Sequence, residues 1–215
     1  MFAPYNQSNF EQTNNVMNLY GYDIRKSFDD YDKYRIPQIS MPHAGDYFRI
    51  ALKSICHQKG INDDKIQFLP EYENVIEWLT DNKSKGLIMG GATGRGKSLI
   101  GEYVIPSILR HVMGKVVNCY QSTEINEKLE VIMTKKYVYL DDVGVEDKRN
   151  DYGSVRWAFP EIVDNAEKFG KLLIVSTNLS SKQIVEKYGQ RTYDRIFAIC
   201  HPVAFTGSSM RKALL

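Results

Sequence analysis

Residues 90–98 read Gly90-Gly91-Ala92-Thr93-Gly94-Arg95-Gly96-Lys97-Ser98, a glycine-rich run between two apolar stretches. Before it lies the short apolar stretch Gly86-Leu87-Ile88-Met89; after it, from Leu99, comes an apolar stretch compatible with a helix. This order reads as strand, tight loop, helix. From Gly91 the residues fit the spacing G-x-x-x-x-G-K-[ST] of a phosphate-binding loop. Glycines let the backbone curl so that successive N–H groups face phosphate oxygens, which bulky residues would block. The N-terminus of the following helix adds partial positive charge at the same place. Lys97 can reach β- and γ-phosphates, and Ser98 can ligate Mg²⁺. Gly91, Ala92, Thr93, Gly94, Arg95, Gly96, Lys97, Ser98 and Leu99 are therefore the candidate nucleotide contacts.

With 215 residues, the chain has room for one good-sized domain or for a domain with a short appendage. A formal charge of +2 is too small to argue for nucleic-acid binding by itself, so any such surface would be a local patch. No apolar run approaches the roughly 18 residues of a membrane span, and Met1 to Gln7 lack the basic start and apolar core of a signal peptide. No membrane association is expected. Cys56, Cys119 and Cys200 form no C-x-x-C pair, and an odd count argues against a closed disulfide framework. A reducing cytoplasm fits best. Cys56-His57 and Cys200-His201 are poor chelates, because adjacent residues point in different directions.

Residues 1–43 hold many Asn, Gln, Asp and Tyr and few aliphatics, with Phe10 to Tyr22 a weak helix candidate. They read either as a mobile or partner-ordered arm or as tyrosines packed on the main domain. We place the arm at 1–59 and the main domain at 60–215. Helices are expected over Gly45 to Gln58 and Glu71 to Asp81. From Gly86 the pattern alternates. Strands are expected at Leu87–Met89, Lys115–Tyr120, Tyr137–Leu140, Leu172–Ser176 and Val203–Phe205. Helices are expected at Ser98–Val112, kinked or split by Pro106, and from a Ser122 cap to about Met133. Further helices are expected over Gly153–Phe169, Ser180–Tyr188 and Arg191–Ile199. Repeated β-α units of this length imply a parallel sheet with helices on both faces.

Four more signals follow the loop in order. Tyr137-Val138-Tyr139-Leu140-Asp141-Asp142 is an apolar strand ending in two carboxylates, where ligands bind in α/β sheets. Asp141 would hold Mg²⁺ opposite Ser98, and Asp142 would orient or deprotonate a water. Leu172 to Val175 form a second such strand, ending in Ser176-Thr177-Asn178, and Asn178 can contact a γ-phosphate or the lytic water. Arg191 and Arg195 are four apart and share a helix face, as candidates for stabilising phosphoryl charge in trans. Gly207-Ser208-Ser209-Met210-Arg211 ends the series, with Arg211 able to fold back on phosphates. Because Lys115–Tyr120 separates the first two strands in sequence, there is room for another strand between them in space. Lys135-Lys136 and Lys148-Arg149 are plausible contacts to DNA phosphates.

Together these pieces resemble the DnaC/IstB-like branch of the AAA+ ATPases over about residues 60–212. The resemblance implies a three-layer αβα P-loop domain without a C-terminal helical lid, binding ATP and Mg²⁺. It implies Walker A at Gly91 to Ser98, Walker B at Asp141 and Asp142, sensor 1 at Asn178, an arginine finger at Arg195 or Arg191, and sensor 2 at Arg211. The second Walker B residue is Asp142, where AAA+ proteins usually carry Glu. The implied function is a self-assembling ATPase that loads a hexameric replicative helicase onto single-stranded DNA. Two other readings are an IstB-like transposition helper on duplex DNA and a nucleotide-gated adaptor with negligible turnover.

Overall fold

A computed structural model describes residues 34–151 and 154–210. Most of the arm proposed from sequence, including the Phe10–Tyr22 helix candidate, and Arg211 lie outside the described residues. The compact unit begins at Ile36. It opens with α1 (Ala44–Gln58) and α2 (Pro70–Thr80). Pro70 stands in the first turn of α2, where its missing N–H costs nothing. Residues 36–59 join the domain core. Ile39, Met41, Phe48 and Leu52 are buried in one cluster with Val75, Leu79, Leu87, Ile100 and Phe205.

Five strands form the main sheet: β1 (Gly86–Gly91), β2 (Asn118–Gln121), β3 (Tyr137–Val143), β6 (Leu172–Thr177) and β7 (Cys200–Phe205). A separate two-stranded hairpin pairs β4 (Arg149–Asp151) with β5 (Ser154–Arg156). The order in the main sheet is β2-β3-β6-β1-β7, and every pairing is parallel. β6 therefore lies between the loop-bearing strand β1 and the acidic strand β3, filling the gap that the sequence order left open. Side-chain alternation divides the two faces. Leu87, Met89, Tyr139, Leu172 and Ile174 join α1 and α2 in the first cluster. Ile88, Val138, Leu140, Leu173 and Val175 face a second cluster with α6 (Ala158–Lys168), α7 (Ser181–Tyr188) and α8 (Gln190–Ile199). Apolar runs buried on both faces are what a parallel sheet requires.

Several elements differ from expectation for local reasons. The helix expected over Ser98–Val112 is divided just before Pro106. α3 (Lys97–Leu99) passes through a π-helical turn, Ile100–Val104, into α4 (Ile105–Met113). The junctions stay helical, with Ile105 at φ −60°, ψ −49°. The wider turn carries hydrogen bonding past the position where proline has no N–H. Ser122 does not cap a long helix. Gln121 and Glu124 form a capping box on a 3₁₀ turn, Ser122–Glu124, and only α5 (Leu129–Ile132) follows. The helix expected from Gly153 begins at Ala158, placing Pro160 in its first turn, and the hairpin takes the residues before it. Ser180 does cap α7, in a reciprocal box with Gln183. Among the described residues no helix is long and apolar enough to cross a membrane.

Candidate nucleotide site

The loop between β1 and α3 lies at the C-terminal edge of the sheet. Its entry is pinned where the Ala92 N–H donates to the Phe205 carbonyl at 2.9 Å. Gly91 sits at φ 119°, and a Cβ there would come within 2.3 Å of the Phe205 oxygen. Gly96 ends the loop at φ 86°, where a Cβ would lie 2.5 Å from the Tyr72 hydroxyl. The pattern's glycines are thus required by close approach as well as by φ. A cleft of about 260 Å³ opens above the loop, lined among others by Gly94, Gly96, Lys97, Ser98, Asp142 and Asn178.

Lys97 is buried, and three neutral oxygens hold its ammonium: Gly91 O at 2.7 Å, Ala92 O at 2.8 Å and Asn178 Oδ1 at 2.9 Å. The Asn178 amide nitrogen in turn donates to Asp142 Oδ1 at 2.6 Å. A continuous chain therefore joins the three residues that the sequence assigned to phosphate, lytic water and proton. Phosphate oxygens can replace the loop carbonyls as acceptors for the Lys97 ammonium.

The two carboxylates differ. Asp141 is buried, and its Oδ1 accepts from Tyr139 Oη at 2.5 Å and Ser176 Oγ at 2.6 Å. Burial pushes the Tyr139 hydroxyl far up, and the Asp141 charge beside it adds to the shift, so this donor stays protonated. Asp142 lines the cleft in a left-handed conformation, φ 55°. The sheet supplies the reason. Leu140 pairs with Val175 but Val143 pairs with Thr177, so the Asp141-Asp142 step carries one extra residue as a bulge. Hydrogen bonds offset the strain: Asp142 N–H donates to Ser176 Oγ at 2.8 Å, and its carbonyl accepts from Ser122 Oγ at 2.9 Å. The bulge is what aims Asp142 into the cleft.

Ser176 and Tyr139 were missed by sequence reasoning. The signal for Tyr139 was present: it lies two residues before Asp141 on the same face of a strand. Arg95 differs from expectation. Its guanidinium leaves the cleft and bonds Glu71 through Nε at 3.0 Å and Nη2 at 2.5 Å. Glu71 also accepts the Thr206 N–H at 3.0 Å, and Arg95 donates to the Ser208 carbonyl at 3.3 Å. The Met210 N–H donates to Gly94 O at 2.9 Å, bringing the C-terminal segment onto the loop one residue before Arg211. Arg191 and Arg195 do not line this cleft. Both bond Asp164 of α6, and Arg195 Nε also meets Glu167 at 3.1 Å.

Oxygen donors of the kind Mg²⁺ favours are present: Ser98 lines the cleft, and Asp141 does not line it but is bonded to Ser176, which does. Beside the cleft lies a small apolar recess of about 70 Å³ that shares Leu99 and Met210 with it and adds Leu52, Ile61, Ile66 and Tyr72.

No family model matches the sequence, and no curated protein matches it. Solved structures do. Domain III from the Thermotoga maritima replication initiation protein DnaA superposes with a TM-score of 0.50 at 16% identity, covering 70% of each chain. AMPPCP-bound DnaA from Aquifex aeolicus gives 0.50 at 11% identity, covering 69% of this chain and 51% of that one, so this chain spans about half its length. The DnaC helicase loader gives 0.45 at 16% identity, covering 78% of this chain and 93% of that one. Identities this low speak to fold. With β6 set between the loop strand and the acidic strand, the chain has the three-layer α/β fold of the P-loop AAA+ nucleotide-binding proteins.

Proposed function

We propose that this chain is an ATP-hydrolysing replication protein that loads a hexameric replicative helicase onto single-stranded DNA, working as a self-assembled oligomer. The hydrogen-bonded chain Lys97–Asn178–Asp142 carries the hydrolytic part of this reading. Lys97 neutralises the β- and γ-phosphates. Asn178 holds a water in line with the γ-phosphorus, and Asp142 accepts its proton as the P–O bond to the leaving ADP breaks. Ser98 and Asp141 would hold Mg²⁺, which draws charge from the phosphate oxygens. Tyr139 and Ser176 hold the Asp141 carboxylate in orientation. The apolar recess beside Leu99 and Met210 suits the flat face of a purine. Arg195 or Arg191 would serve a neighbouring subunit's nucleotide, and Arg211 its own.

The loader role rests on the order of the motifs and on their resemblance to the DnaC/IstB-like branch. It is tested by recovering tagged protein from its host cells with a non-hydrolysable ATP analogue and again with ADP. Capture of a hexameric helicase in one nucleotide state is the expected result. Capture of a transposase would replace this reading with that of a transposition helper.

A further inference from the structure

Seven residues beyond Asp142, the chain enters the β4–β5 hairpin, which no part of the nucleotide site uses. Arg149 of β4 is paired directly opposite Arg156 of β5. Side chains in such pairs stand about 5 Å apart, and like charges there repel. Lys148 immediately precedes the hairpin and Trp157 immediately follows it. The ammonium of Lys148 lies 5.4 Å from the Trp157 ring centre, and that of Lys187 lies 4.2 Å from it. Two ammonium groups thus face one partly exposed indole that directly follows the strand carrying Arg156. Glu161, 3.6 Å from Arg156, and Asp147 bring opposite charge to the edge of this patch.

The segment between Asp142 and the patch is held at several points. Between Asp142 and Lys148, the Val143 carbonyl accepts from Thr177 Oγ1 at 2.6 Å. Lys187 Nζ donates to Gly144 O at 2.6 Å and Glu146 O at 3.2 Å. The buried Glu146 carboxylate takes the Gly144 N–H at 2.8 Å and the Tyr188 hydroxyl. Asn126 Nδ2 donates to Asp147 O at 2.9 Å. The segment is therefore a short tethered strut, and Lys187 belongs both to the strut and to the cationic patch.

We propose that Lys148, Arg149, Arg156, Lys187 and Trp157 form a binding surface for single-stranded DNA, coupled through this strut to Asp142. The inference rests on the reading of the chain as a DNA-acting protein and names the surface that reading lacks. A phosphate seated between Arg149 and Arg156 turns a repelling pair into a clamp. A base that stacks on Trp157 displaces the exposed Lys148 ammonium, which then meets the next phosphate. Cations interleaved with one aromatic match sequence-tolerant single-strand binding, where stacking and backbone charge act together.

The test is fluorescence anisotropy of a labelled oligothymidylate of about 20 nucleotides over a salt series, with the full chain and without any partner protein. The wild type should bind, and the double variant Arg149→Ala/Arg156→Ala should bind at least about tenfold more weakly. Losing two phosphate contacts should lower the slope of log K against log salt by about 1.4. ATP affinity should stay unchanged in that variant. Lys148→Glu, at an exposed position outside the strands, gives the same readout should the double variant not fold. In the wild type, Trp157 emission should be quenched on binding while the buried Trp78 is not. Wild-type affinity and slope in all these variants would overturn the surface while leaving the DNA-acting reading intact. Failure of the wild type to bind any oligonucleotide would overturn that reading itself. Tighter binding to a duplex of equal length would overturn the single-strand assignment.

Discussion

Asp142 is the residue where fold and chemistry meet most tightly. Its φ of 55° would be costly for most side chains, but Asp and Asn tolerate the left-handed region. Asp142→Asn should therefore fold normally and keep its contact with Asn178. It loses only the ability to accept a proton. ATP affinity by calorimetry should be unchanged, while turnover in a phosphate-release assay falls about 10²- to 10⁴-fold. Wild-type turnover would remove Asp142 from the role of base. Ser176 acts differently, since its hydroxyl donates to Asp141 and accepts from the Asp142 backbone. Ser176→Ala should raise the Mg²⁺ concentration that half-saturates the ATPase by about 10- to 100-fold, the usual effect of removing a group that orients a metal ligand. An unchanged Mg²⁺ requirement with lower turnover would instead make Ser176 a support of the bulge alone.

At the scale of elements, one buried ion pair ties α2 and the segment after β7 to the loop. Glu71 stands in the first turn of α2, Arg95 lies in the loop, and Thr206 and Ser208 follow β7. Burial alone would push the Glu71 carboxyl up, but the Arg95 guanidinium and the Thr206 N–H hold it below the ordinary carboxylate value. Its other oxygen, Oε2, is buried without a partner, so the pair is not fully satisfied. Glu71→Gln keeps the volume and strands a buried guanidinium, which should cost about 3 kcal/mol in urea unfolding. A folded pKa below the unfolded one stabilises above the unfolded value, and that stability is lost as pH falls through the folded value. The gap between wild type and Glu71→Gln should therefore close below about pH 4. A gap independent of pH would show that the loss is one of packing. The sequence made the loop legible but not this clamp. Arg95 occupies a variable position in the spacing, and its partner lies 24 residues earlier on another element. The same distinction runs through the fold. The five sheet strands and Ser180-capped α7 carried strong local patterns. The hairpin, with three residues in each strand, is too short to show a period, and its second strand falls in the stretch read as the start of a helix. The bulge that aims Asp142 is fixed by register between β3 and β6, which no single segment encodes.

For the whole molecule, the position of Arg191 and Arg195 decides what one chain can do alone. Both were singled out as a shared helix face, and both are bound to carboxylates of α6 rather than to the cleft beside Lys97. A single chain thus brings together a loop lysine, an acidic pair and Asn178, but no guanidinium from α8. If α8 serves a neighbour, Arg195 must exchange Asp164 and Glu167 for a phosphate across a subunit boundary, and Asp164 holds it ready until then. Arg195→Ala should bind ATP with wild-type affinity and turn over about 10³-fold more slowly, in line with arginines supplied in trans. Lys97→Ala should fail to bind ATP tightly but keep an intact α8. Mixed oligomers of the two would place an intact Arg195 beside an intact loop at some interfaces, so activity should return on mixing two inactive proteins. Activity that stays absent across all mixing ratios, in samples shown by light scattering to co-assemble, would mean that Arg195 serves only its bond to α6 and that the charge on the transferring phosphoryl group is met by another residue.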